Sequence, residues 1–133
     1  MIFVSSDQAE ASELSESEIQ KQLVTWLKYK GVAFSVGLEG AKRHPAEQAR
    51  LKAQGMQRGH PDITLYLPEG RVVFVELKTL RGRVSEKQQA RHDLLKHLGF
   101  EVHVIKAEHF GIAIDAVEQI IGSKGLETAG VVS

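Results

Sequence analysis

The stretch that most narrows the choice of fold runs from Gly59 to Lys78, Gly-His-Pro-Asp-Ile-Thr-Leu-Tyr-Leu-Pro-Glu-Gly-Arg-Val-Val-Phe-Val-Glu-Leu-Lys. Apolar, β-branched and aromatic residues fill two short runs on either side of Pro68-Glu69-Gly70, so it reads as two antiparallel strands and a tight turn. Pairing symmetric about Glu69 sets Ile63 opposite Val75 and Asp62 opposite Glu76. Asp62 then opens the first strand, and Glu76 and Lys78, two residues apart, point to the same side of the sheet. Ile63, Leu65 and Leu67 point to the other side with Val73, Val75 and Leu77. Three ionisable groups are thereby gathered at one end of a hairpin.

The rest of the chain supplies elements to cover such a sheet. Ser15 with Glu18 forms a capping box, and Ile19, Leu23, Trp26 and Leu27 recur at helical spacing up to Gly31. Val32 to Val36 reads as a strand, and Pro45 opens a short helix, residues 46–54, that Gly55 stops. After the hairpin, a basic connector with Arg81 and Arg83 leads to Ser85, which caps a helix with Gln88 at the capping-box position. Its apolar stripe is Leu94, Leu95 and Leu98. Residues 100–105 form a strand, and a last helix over 109–121 carries Phe110, Ile114, Val117 and Ile121. A strand, helix, strand passage after a hairpin implies a crossover, hence an α/β fold with a mixed sheet and helices on its faces. The expected organisation is a loose segment over 1–13, one domain over 14–122 and a disordered tail over 123–133.

Charge and cysteine content bound the function. The 17 basic and 17 acidic residues cancel over the chain, but residues 41–97 carry 12 Lys and Arg against 6 Asp and Glu, a local excess around the hairpin. That distribution suits a polyanionic partner, since phosphate binding depends on local cations. Lys42, Arg43, Arg58, His60, Arg81, Arg83, Lys87 and Arg91 are the residues expected to meet nucleic acid, with a plain loop role the competing reading of His60. With no cysteine, disulfides and thiolate ligands are excluded, which suits a reducing cytoplasm. No run is long enough to span a membrane, and the glycine-containing segments lack phosphate-loop spacing, so no nucleotide cofactor is expected.

Two carboxylates at one hairpin end need neutralising. At about 4 Å they repel by roughly 4 kcal/mol at an effective dielectric near 20. A hard divalent cation between oxygen ligands relieves more of this than a single lysine does. Asp62 and Glu76 are therefore read as ligands of Mg²⁺ or Mn²⁺, with the Leu77 carbonyl as a further oxygen. Lys78 beside such an ion suits phosphodiester hydrolysis, orienting or deprotonating a water or stabilising charge on the phosphate. Solvated strand-end charges are the competing reading.

Gly59-His60-Pro61-Asp62 followed by Val73-Phe74-Val75-Glu76-Leu77-Lys78 resembles the PD-(D/E)XK nuclease superfamily, specifically its virus-type replication and repair branch, the VRR-NUC domain. The likeness extends to Glu18, to Ser85-Glu86-Lys87-Gln88 and to Leu98-Gly99-Phe100-Glu101-Val102, covering residues 14–107. It implies a restriction-endonuclease-like αβββαβ core and a divalent-metal-dependent DNA endonuclease. Asp62 and Glu76 would be ligands, Lys78 the catalytic lysine, Gln88 a residue beside the scissile phosphate, and Glu18 a residue near the metal. Short members resemble dimeric enzymes that act on branched DNA such as four-way (Holliday) junctions, so a homodimer acting in DNA repair is expected. The other function class is a nucleic-acid-binding or assembly module that has lost activity. Glu18 and Gln88 each also fill a capping-box position, and both readings stand. His92 and His97 are expected on a helix surface.

Overall fold

The computed structural model describes residues 14–37, 44–55 and 59–123. The expected loose segment over 1–13 and residues 124–133 of the expected tail lie outside them, as do Lys42, Arg43 and Arg58. The elements follow the order read from the sequence: α1 (Glu16–Lys30), β1 (Ala33–Val36), α2 (Pro45–Ala53), β2 (Ile63–Leu67), β3 (Arg71–Lys78), α3 (Glu86–His97), β4 (Glu101–Lys106) and α4 (Phe110–Gly122). A 3₁₀ turn, Pro68–Gly70, joins β2 to β3, with Glu69 and Gly70 both at positive φ (65° and 78°).

The four strands form one sheet in the order β1-β2-β3-β4. β1 pairs antiparallel with β2, and β2 with β3. The β2–β3 register sets Ile63 opposite Val75 and Leu67 opposite Arg71, the pairing expected from symmetry about Glu69. β3 and β4 run the same way: their first residues, Arg71 and Glu101, are bonded side chain to side chain, and the carbonyl of Lys78, the last residue of β3, accepts from Ala107 just beyond β4 at 3.0 Å. A helix between two adjacent strands that run the same way is the usual crossover. The sheet is therefore mixed.

By their contacts the residues group into two units. The first holds α1, residues 77–82 and residues from Val104 on. There α1 packs on α4, burying Ile19, Leu23 and Leu27 from one helix and Ala113, Val117 and Ile120 from the other. Trp26, expected in the core, is only half-buried, and Phe110, Ile114 and Ile121 are likewise at the margin of the buried face. Of the four residues expected to line α4, only Val117 is buried, and Ala113 and Ile120 complete the buried face. The second unit holds residues 33–76 and 83–103. Its centre is the hairpin, where Ile63, Thr64, Leu65, Val73, Phe74, Val75 and Glu76 are all buried. Successive residues of a strand face opposite sides, so the sheet is covered on both faces here. Among the described residues no helix is long and apolar enough to cross a membrane.

The Arg71–Glu101 pair is bidentate, Nε to Oε1 at 2.7 Å and Nη2 to Oε2 at 3.0 Å, and His103 Nε2 lies 3.2 Å from Oε2. The Arg71 hydrogen bonds hold the Glu101 carboxyl below the usual carboxylate range, against the opposing effect of burial. A lowered folded pKa means that this stabilisation is complete above the unfolded value, near 4.3, and fades as pH falls through the folded one. Arg71→Met is thus expected to cost about 1–3 kcal/mol at pH 7. In thermal melts the gap to the unmodified protein should shrink at pH 3; an equal gap at both pH values would refute the assignment.

Candidate active site

The site is built on the start of α3. Ser85 is its N-cap: its hydroxyl accepts from Gln88 N at 3.1 Å, and its own N–H donates to Gln88 Oε1 at 2.9 Å. This capping box consumes the oxygen of the Gln88 amide and leaves the nitrogen. Gln88 Nε2 donates to Glu76 Oε2 at 2.9 Å. The competition expected between a capping role and a site role does not arise, because an amide has two chemically different ends and each takes one task. The same geometry settles which end is nitrogen, an assignment usually open to a flip.

Glu76 lies in the middle of this network, 0% exposed on β3. Its second oxygen, Oε1, is 3.3 Å from His92 Nε2. His92 is 2% exposed, which overturns the expectation that it lies on the helix surface. Gln88 and His92 are four residues apart, hence neighbours on one side of α3, and Leu95 continues that buried side. The expected stripe of Leu94, Leu95 and Leu98 is corrected accordingly, with Leu94 45% and Leu98 60% exposed. The spacing Gln88, His92, Leu95 was available in the sequence as a helical face. It was obscured because two of its three members are polar.

Asp62 is half-buried one residue before β2, where its carbonyl accepts from Gly37 N at 2.8 Å. The ladder begins at Ile63 opposite Val75, so Asp62 sits just outside the pairing rather than opening the strand. Its loop is held against α3 by Gly59 at φ 87°. A Cβ there would run into the Lys87 carbonyl, with Lys87 C at 2.9 Å and Gln88 N at 3.2 Å. Glycine is what allows the loop carrying Asp62 to touch the backbone that carries Gln88. His60 in the same loop is half-buried with its ring edge-to-face on Phe74, centroids 5.6 Å apart, and Phe74 stacks likewise on Phe100.

Lys78 closes β3 and is half-buried, and Leu77 before it is buried. Arg81, Arg83 and Lys87 are exposed and Arg91 is half-buried. Lys87 and Arg91 stand four apart on α3, next to the row formed by Gln88 and His92. Glu18 is exposed, and its Oε1 receives both the Ser15 N–H and the Ser15 hydroxyl at 3.1 Å. These bonds from Ser15 hold its carboxyl below the usual range.

Among the described residues no three His, Asp or Glu side chains gather closely enough to enclose a metal ion. A closed protein cage is not what Mg²⁺ needs, since it takes one or two carboxylates and keeps several waters. The donors fit that pattern: they are carboxylate oxygens, and Gln88 at Oε2 and His92 at Oε1 orient the Glu76 group from α3.

A family model for the VRR-NUC domain matches residues 14–109. Among solved structures, one described as a VRR_NUC domain protein superposes with a TM-score of 0.58 at 23% identity, covering 81% of this chain and 88% of that one. Another, described as a VRR_NUC domain, has a TM-score of 0.53 at 22% identity and covers 77% and 94%. At that identity the likeness concerns the fold. No curated protein matches the chain.

Proposed function

The chain belongs to the VRR-NUC domain family, a nuclease-type fold, and on that premise we propose that it is a divalent-metal-dependent endonuclease hydrolysing phosphodiester bonds of branched DNA, four-way junctions included. The observation that supports this most is the fully buried Glu76 carboxylate gripped through both oxygens by α3. Burying a carboxylate is costly unless it is hydrogen-bonded, and buried, closely bonded charges of this kind concentrate at functional sites.

Asp62 and Glu76 would hold Mg²⁺ or Mn²⁺. When bound, such an ion supplies charge stabilisation at a phosphoryl oxygen and makes a water more acidic. Lys78, two residues beyond Glu76 on β3, would stabilise charge that develops on the phosphate or orient the attacking water. Gln88 and the capping box keep Glu76 in place as the substrate arrives. Arg81, Arg83, Lys87 and Arg91 would neutralise backbone phosphates, which positions the duplex arms without reading their sequence. Acting as a homodimer, two copies would cut two strands of a junction symmetrically.

The test is a cleavage panel of four-way junction, flap, linear duplex and single-stranded DNA, each with Mg²⁺, Mn²⁺ and EDTA. Junction cleavage with either ion and none with EDTA is the expected result. Cleavage that survives EDTA would sink the metal-dependent reading. DNA binding without any cleavage would favour a binding module.

A further inference from the structure

His92 takes no part in the chemistry outlined above, yet its environment sets it apart from the other described histidines. An imidazole withdrawn from water is costly unless it is hydrogen-bonded, and this one meets Glu76 Oε1 at 3.3 Å while itself 2% exposed. A carboxylate that is to hold a cation is ionised and only accepts, so on that reading the contact calls for the proton on Nε2. Gln88 meets the other oxygen at 2.9 Å from the preceding turn of the same helix. A carboxylate held through one oxygen can still pivot about its last torsion, which is broad and shallow. Held through both oxygens by two donors on one rigid helix, it cannot.

We propose that His92 is a positioning residue: by donating Nε2–H to Glu76 Oε1 it fixes, together with Gln88, the orientation in which Glu76 accepts a divalent cation. This rests on the metal-dependent reading of the site. Partners behind a ligating group that orient it in this way typically change metal affinity by about 10–100-fold when removed. Glutamine can place its amide nitrogen near the position of the imidazole Nε2, and leucine fills a similar volume without any donor.

Calorimetric titration of DNA-free protein with Mn²⁺ tests it, alongside melts in EDTA. His92→Leu should lower Mn²⁺ affinity about 10–100-fold, and His92→Gln should restore most of the loss. A merely structural role would lower the melting temperature in EDTA and leave the affinity of the folded protein unchanged. Unaltered Mn²⁺ affinity in His92→Leu would overturn the role of His92 while leaving the metal reading intact. Absence of Mn²⁺ binding by the unmodified protein would instead overturn the metal reading itself. ¹⁵N NMR of the unmodified protein gives a second decision that needs no variant: a protonated Nε2 on His92 is required, and an unprotonated one refutes the proposal.

Discussion

Replacing Glu76 by glutamine is expected to reduce Mg²⁺-dependent cleavage by roughly 10²–10³-fold or more, with DNA binding in EDTA retained. Glutamine is the informative choice because it keeps the shape of the side chain. Alanine would leave Gln88 Nε2 and His92 Nε2 facing a cavity at a fully buried position, and unfolding would then confuse the result. The amide removes one negative charge and one acceptor. It can still accept from Gln88, while His92 can meet the new N–H₂ group by shifting its proton to Nδ1. A stability loss of only about 1 kcal/mol is therefore expected. Cleavage rates under single-turnover conditions, with binding measured by filter retention in EDTA, separate the two effects. A variant that cleaves at the unmodified rate would remove Glu76 from the mechanism.

Gly59→Ala is expected to be the most damaging single methyl in the described part of the chain. The residue sits at φ 87°, where a side chain costs about 1–2 kcal/mol. The added Cβ would also meet the Lys87 carbonyl and the Gln88 nitrogen, which are helix backbone and yield little, adding about 1–3 kcal/mol. A total near 3 kcal/mol corresponds to a fall in Tm of roughly 10 °C for a chain of this size. Because the push falls on the turn that carries Gln88, the bond to Glu76 should be strained and cleavage should fall as well. Gly55→Ala is the control: its φ is 110° but nothing lies within 4 Å of the added carbon, so only the backbone term applies. Equal melting temperatures for the two variants would show that close packing at Gly59 is unimportant.

These two residues mark different depths of reading. Glu76 stands out in the sequence because four apolar residues precede it on a strand and Lys78 follows. Gly59 is one of 12 glycines, and nothing near it in the chain tells that Lys87 will lie against it. The contact joins residues 28 positions apart, through a loop and a helix start whose approach depends on the whole hairpin.

The order of elements, the β2–β3 register and both capping boxes, those of Ser15 with Glu18 and Ser85 with Gln88, are legible in the chain alone. Each depends on neighbours in the chain: the turn at Pro68–Gly70 sets the register, and an N-cap meets a residue three positions on. Tertiary structure decided how α3 is rotated about its axis. Counting apolar residues turns Leu94 and Leu98 inward, but a buried carboxylate left without donors costs more than two leucines gain when they are only partly covered. The helix therefore presents Gln88 and His92 to Glu76 and leaves both leucines exposed. A side chain's partner across the fold is a long-range fact, and neither periodicity nor composition contains it.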